Sequence, residues 1–215
     1  MPGMDGLRLP SGNIAKPRER LLAFCRGEYA YYDAIPSLDA NRIDPLDVLV
    51  TVAMNSRVDS AVKVHRVHQG LAENCNPRLP ALPEDADLID LDRWREPLRE
   101  LLHAAVQAHF VLIPVATKVL HRKRRFLIPM LDGVVLRYYL DTPELRALLP
   151  GTENKAKAAD VAMEALTLFH ADLVHTRDAI GALRVWLEEQ GFSLSPVRVL
   201  ELLVWMEVEP AGYYR

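Results

Sequence analysis

The stretch IPVATKVLHRKRRFLIPMLDGVVLRYY, residues 113–139, sets a dense group of charged side chains in an apolar background. Its pattern predicts a helix, a turn containing Pro129, and a second helix that starts near Asp132. The charged positions include a lysine, five cationic or potentially cationic residues and an aspartate: Lys118, His121, Arg122, Lys123, Arg124, Arg125 and Asp132. This combination of a possible nucleophile, a possible anion-binding patch and a carboxylate makes the stretch the main guide to fold and function.

Helical patterns continue on both sides of this stretch. Asp44 and Pro45 form a helix start, because an aspartate can cap and a proline is pre-set for the first turn. Residues 93–110 and 154–187 are helical in pattern, the second with a possible break near His175, and Gly191 is a plausible C-terminal stop. Ser195 and Pro196 begin the last helix. We therefore predict an all-α fold.

The domain organisation follows from the remaining segments. Residues 1–13 are rich in glycine and proline and are predicted to form a flexible arm, and residues 14–215 a single compact multi-helix domain. That domain can divide into two helical lobes with a cleft near Lys118 and Asp132. Residues 28–35, EYAYYDAI, suit an extended piece or a short strand, residues 56–71 a helix, and residues 142–150 a short helix.

Composition limits the function. The 215 residues carry a formal net charge of −3, so anion binding must come from local clustering rather than from a basic protein as a whole. Two cysteines, Cys25 and Cys75, fit a reducing compartment. We see no secretory leader and no apolar run long enough to span a membrane, and we expect a cytoplasmic location.

Lys118 and Asp132 admit two interpretations. A lysine in a pocket of low dielectric constant can lose its proton and act as an amine nucleophile, and a nearby aspartate can stabilise a developing cation or move a proton. Alternatively, Lys118 extends from a helix edge into solvent and Asp132 caps the helix that begins at Gly133.

The basic residues also admit two interpretations. His121, Arg122, Lys123, Arg124 and Arg125 could contact nucleic-acid phosphates. Alternatively, they form a solvated helix end that is favoured by the helix dipole, or they pair with acidic residues elsewhere in the chain.

Two weaker patterns remain. His65 and His68 lie three positions apart on a helix and could share a metal with Glu73 and Cys75, although a half-exposed polar face is the simpler interpretation. We therefore predict no metal and no cofactor. The tyrosines at positions 31, 32, 213 and 214 could stack on bases, but such side chains more often close over a core.

Residues 113–139 resemble the hairpin-plus-aspartate region of the helix-hairpin-helix DNA glycosylases. VATKV resembles the exit of the hairpin, with Lys118 at the position of the family's catalytic lysine, and IPMLDGVV resembles the approach to the catalytic aspartate, here Asp132. DPLDVLVTVAMN, residues 44–55, is similar to an early core helix of that fold. The resemblance implies a glycosylase-like helical fold, double-stranded DNA as a partner, and base excision or abasic-site cleavage.

The hairpin departs from the family pattern at Pro114, Val115 and Ala116, which stand where the family has two glycines. The chain is also similar overall to uncharacterised bacterial proteins that share K-x-L-H-x-K-R, I-P-x-L-D and a C-terminal G-Y-Y-R. Two functional hypotheses result. The first is a DNA-binding protein with base-excision activity, and the alternative is a non-catalytic helical interaction module that retains the fold without the chemistry.

Overall fold

A computed structural model describes residues 6–54, 56, 58–141 and 155–208, which form helices and one short β-hairpin. The mainly helical prediction is confirmed. The strands are β1 (Gly6–Leu9) and β2 (Gly12–Ala15). The α-helices are α1 (Pro17–Gly27), α2 (Tyr29–Tyr32), α3 (Pro45–Val52), α4 (Ala61–Cys75), α5 (Leu91–Gln107), α6 (Ile113–Lys123), α7 (Gly133–Tyr139), α8 (Lys155–His175), α9 (Arg177–Glu189) and α10 (Pro196–Val208), with 3₁₀ turns at Leu79–Ala81 and Leu88–Asp90.

The N-terminal segment corrects the prediction of an arm over residues 1–13. From Gly6 onward the chain forms an antiparallel hairpin in which Leu9 pairs with Gly12. Alternate residues Leu7, Leu9 and Ile14 are buried, because successive side chains of a strand point to opposite faces. The hairpin is therefore part of the domain.

The hairpin is fixed to α8 by Asp172, a carboxylate that is 1% exposed. The backbone N–H of Ser11 donates to Oδ1 of Asp172 at 3.1 Å, and the Ser11 hydroxyl donates to Oδ2. The hydroxyl of Tyr139 in α7 donates to the same Oδ2 at 3.0 Å. One buried carboxylate thus joins the hairpin, α7 and α8.

The aromatic segment at residues 28–35 is not a strand. It contains the short helix α2, and the ring of Tyr32 is buried. The Tyr32 hydroxyl donates to the backbone oxygen of Lys118 at 2.5 Å, which satisfies its polar end inside the protein. A partner distant in sequence therefore overrides the strand propensity of the aromatics.

The predicted start of α3 is confirmed. The Asp44 carboxylate accepts hydrogen bonds from the backbone N–H groups of Leu46 and Asp47, and the Asp47 carboxylate accepts one from the backbone N–H of Asp44, which completes a capping box. The next helix begins later than predicted, at Ala61, because Ser60 caps it. The helix predicted over residues 142–150 lies outside the described residues.

Close packing joins α4 to the turn between α5 and α6. A Cβ atom on Gly70 would lie 2.9 Å from the Cβ of Ala108, so glycine is needed at this contact. Phe110 in the same turn has φ 62°, an unusual conformation for a bulky residue.

The C-terminal helices follow the sequence prediction. The break comes at Thr176, between α8 and α9. Gly191 has φ 88°, its N–H donates to Glu188, and that of Phe192 donates to Leu187, which together form a Schellman cap. The helix α10 then returns against α1, α7 and α9. None of the described helices is long and apolar enough to cross a bilayer.

Candidate functional site

The helix α6 is buried along almost its whole length, between α3 and α5. Its last turn carries His121, Arg122 and Lys123, and Arg124 follows as its C-cap. The cations that the sequence places at a possible solvated helix end therefore enter the protein interior, where charged groups need partners.

Arg122 and Lys123 share one partner, Asp47 of α3. The Nε of Arg122 lies 2.9 Å from Oδ1 of Asp47, and the Nζ of Lys123 contacts Oδ2. Burial alone would raise the pKa of Asp47, but hydrogen bonds from the Asp44 backbone, Lys123 and Arg122 lower it below its usual value. The carboxylate is therefore charged at neutral pH and holds both cations against α3.

Arg124 is fully buried and surrounded by oxygen acceptors. Its guanidinium donates to four backbone carbonyls and one side-chain amide, those of Leu82, Ala40, Lys123, Leu79 and Asn41. This pattern satisfies the group without a carboxylate. Arg125, by contrast, is exposed and lies over the ring of Phe126, 5.0 Å from its centroid.

His121 is buried and neutral. Its Nδ1 lies 2.6 Å from the backbone oxygen of Ile128, so this nitrogen carries the hydrogen. Burial, with a further contribution from the nearby Arg198 charge, lowers the pKa of His121 to about 4. His121 therefore adds no positive charge at neutral pH.

Lys118 lies one turn earlier and is 6% exposed, so it does not extend into solvent. Its Nζ donates to the backbone oxygen of Met54 at 2.5 Å. Burial lowers the pKa of Lys118, against the opposing charges of Asp132 and Glu201. A larger share of this amine is neutral at a given pH than for a lysine in water.

Asp132 caps α7, as one of the two interpretations of the sequence expects. Its Oδ1 accepts the backbone N–H groups of Val134 at 2.9 Å and Val135 at 3.0 Å. Within the described part of the chain, its Oδ2 accepts no hydrogen bond. Because the charge of Asp132 also acts on Lys118, the cap and an electrostatic role are compatible.

The sequence analysis did not identify the ion-pair group around Arg198, which is 1% exposed. Its Nε and Nη2 each donate to Asp33 at 2.9 Å, and its Nη1 donates to both carboxylate oxygens of Glu201, at 2.8 and 2.6 Å. Arg198 and Glu201 lie three positions apart in the apolar run of α10, and charge at such core-facing positions was the available signal.

The pKa of Glu201 in this region is also shifted. Burial raises its pKa to about 7, against the opposing effect of Arg198, and Asp132 and Asp33 contribute in the same direction as burial. Lys118, Asp132, Glu201 and Arg198 therefore interact electrostatically, and we refer to these four residues as the charged cluster. Clusters of shifted pKa values occur preferentially at functional sites.

Of the other candidate residues, Tyr32 contacts the charged cluster, because the guanidinium carbon of Arg198 lies 5.6 Å from the centroid of its ring. His65 is exposed, His68 lies 3.3 Å from the backbone oxygen of Ile43, and Cys75 is fully buried. Tyr31 is exposed at 57%. Residues 213–215 lie outside the described residues.

The fold and the site thus define a mainly helical protein with buried ion pairs and a buried lysine among carboxylates. The chain belongs to DUF6308, a family of unknown function, whose model matches residues 24–208. Searches of curated proteins and of solved structures found no match. The matched range includes the charged cluster.

Proposed function

We propose that this protein acts on DNA by base excision or abasic-site cleavage, with Lys118 as an amine nucleophile. The observation that carries the proposal is the environment of Lys118: a buried amine whose pKa is lowered by burial. An amine must be neutral to attack carbon, and burial favours the neutral form. The resemblance of residues 113–139 to the helix-hairpin-helix glycosylases supports DNA as the substrate and extends to a glycosylase-like, two-lobed fold.

The proposed reaction is imine formation at the sugar C1′. The nitrogen of neutral Lys118 adds to the C1′ carbon of an abasic-site aldehyde and gives a carbinolamine. The carbinolamine hydroxyl takes up one proton from solvent and leaves as water, which gives a protonated imine between the protein and DNA. Asp132, through its free Oδ2, would stabilise the positive charge that develops on the imine.

The proposed contacts with DNA phosphates differ among the five basic residues. Arg122, Lys123 and Arg124 are engaged by Asp47 and by backbone oxygens, and His121 is neutral. These residues would position their surroundings more than they would grip phosphate. Arg125 is exposed and is the member of the group best placed to meet a phosphate.

Trapping with borohydride on duplex DNA that carries one abasic site tests the proposal. Borohydride reduces the imine C=N bond to a stable amine, so wild type gives a covalent protein–DNA adduct. Lys118→Gln should give none, because an amide nitrogen is not nucleophilic. Lys63→Gln removes a partly exposed lysine in α4 and should leave the adduct unchanged. Absence of an adduct with folded wild-type protein would refute the lysine mechanism.

A second candidate function is a non-catalytic interaction module. The engagement of Arg122, Lys123 and Arg124 within the chain favours it, because buried ion pairs can serve fold specificity alone. The absence of glycine at Pro114, Val115 and Ala116, where the helix-hairpin-helix family has two glycines, favours it as well. On this hypothesis the protein binds intact and abasic duplexes equally, and Lys118→Gln leaves binding unchanged.

A further inference from the structure

A small cavity separate from Lys118 lies where three segments meet. Its volume is about 90 Å³. It is lined by the loop after α2, the end of α6 and the segment that leads into α10, which contribute Tyr32, Asp33, Ser37, His121, Arg122, Arg125, Ser195 and Arg198 among others. Because polar groups from distant parts of the chain converge here, the cavity is a candidate binding site.

The lining is cationic. Arg122, Arg125 and Arg198 contribute three positive charges against one carboxylate, that of Asp33, and His121 is neutral at pH 7. Arg198 and Arg122 are held in fixed positions by their carboxylate partners Asp33, Glu201 and Asp47. Because these hydrogen bonds already engage both guanidinium groups, Arg122 and Arg198 form a fixed wall of the cavity, whereas Arg125 has no paired carboxylate within the described part of the chain.

Two further donors lack a partner within the described part of the chain. The guanidinium of Arg125 makes no hydrogen bond or ion pair there and only faces the ring of Phe126. The oxygen of the buried Ser195 hydroxyl accepts from the backbone N–H of Arg198 at 3.0 Å, which leaves its own hydrogen to donate. A buried hydroxyl with a remaining donor points to an acceptor in the cavity.

The size of the cavity restricts the ligand. Its volume is several times the roughly 10–15 Å³ that a single water requires. It lies well below the range of about 300–1,000 Å³ typical of sites for drug-sized molecules. A single oxyanion group fits a cavity of this size.

We propose that this cavity binds one phosphate group, with Arg125 and Ser195 as the direct donors and Arg122 and Arg198 as the fixed positive wall. Arginine suits this task because its planar guanidinium matches the geometry of phosphate oxygens. The group is either free inorganic phosphate or the phosphate monoester at the end of a nucleic-acid strand. This site goes beyond the proposed Lys118 chemistry and does not depend on it.

Calorimetric titration of the full chain with inorganic phosphate, at constant ionic strength, tests the proposal. We expect saturable binding that weakens about tenfold in Arg125→Gln, the effect of one charged hydrogen bond. Ser195→Ala should weaken binding several-fold. Arg26→Gln removes an exposed arginine of α1 and should leave binding unchanged. No saturable binding by wild type, or equal affinities of wild type and Arg125→Gln, would overturn the proposal.

A second arm separates the two sources of phosphate. Fluorescence anisotropy compares one oligonucleotide with a 5′-phosphate and with a 5′-hydroxyl. Tighter binding of the phosphorylated form, lost in Arg125→Gln and kept in Arg26→Gln, identifies a strand end as the ligand. Equal binding of both forms, together with saturable binding of inorganic phosphate, identifies the free anion. The trapping experiment detects a covalent adduct and these titrations detect reversible binding of phosphate, so failure of the first and failure of the second are distinguishable.

Discussion

Arg198 and Asp33 lie 165 positions apart in the sequence and are joined by two parallel hydrogen bonds of 2.9 Å inside the protein. This fork-to-fork pair links the end of α2 to the first turn of α10, and Glu201 closes the other side of the guanidinium. A buried charge in this arrangement depends on its partners, because water cannot replace them.

Replacement of Arg198 by methionine should destabilise the fold by about 3–5 kcal/mol, because it leaves Asp33 and Glu201 buried without a counter-charge. Urea unfolding of wild type and Arg198→Met at pH 8 measures this loss. Arg26→Met changes an exposed arginine and should stay within about 0.5 kcal/mol of wild type. A loss below about 1 kcal/mol in Arg198→Met would show that the ion pairs contribute little.

Glu201 should make stability fall as pH rises. Its pKa is about 7 in the folded state and 4.5 ordinarily, so between these values the folded protein holds a proton that the unfolded chain has released. The stabilisation that proton binding by Glu201 gives to the folded state is therefore complete below pH 4.5 and is lost as pH rises through 7. Unfolding of wild type and Glu201→Gln from pH 4 to 8 checks this: the advantage of wild type should shrink by about 3 kcal/mol. A constant difference would contradict the raised pKa.

His121 should have the opposite effect on the pH dependence of stability: its contribution should fall as pH decreases. Its pKa falls from 6.5 to about 4 on folding, so the unfolded chain takes up the proton first as pH decreases. The stabilisation is present above pH 6.5 and is lost as pH falls through 4. His121→Asn, whose amide can still donate to Ile128, should lose less stability than wild type between pH 7 and 4, by about 3 kcal/mol. Parallel pH profiles of the two proteins would refute this.

Gly70 and Gly181 form a matched pair of helical glycines. Gly70→Ala places a methyl group 2.9 Å from the Cβ of Ala108 and should destabilise by about 1–3 kcal/mol through overpacking. In Gly181→Ala the new methyl meets no atom within 4 Å, and alanine should stabilise α9 by about 0.5–1 kcal/mol. In thermal unfolding, the Tm should fall in Gly70→Ala and rise in Gly181→Ala. Equal shifts would mean that the contact with Ala108 relaxes freely.

Local signals in the sequence predicted much of the helical fold. The cap at Asp44 and the stop at Gly191 lie within one turn of the helix end that they define, so their effect is readable from neighbouring residues. The β-hairpin had a period-two signal at Leu7 and Leu9, but each strand has only four residues, and the glycines and prolines obscured it.

Contacts between residues distant in sequence leave no local signal in the chain. Lys118 and Asp132 were identified as candidates, but whether Lys118 reaches solvent depends on Met54, which lies 64 positions away. The pairing of Arg122 with Asp47 spans 75 positions, so the sequence offered an acidic partner only as an alternative to phosphate. The role of Asp33 as the partner of Arg198 becomes visible only in the folded structure.

The hydrogen bonds between Ser11 and Asp172 affect where a fragment of the chain can be cut. The family match begins at residue 24, after the hairpin. A recombinant fragment cut to residues 24–208 would remove the strands that cover part of the core and would leave Asp172 with Tyr139 as its remaining side-chain donor. Expression trials should therefore retain the first fifteen residues.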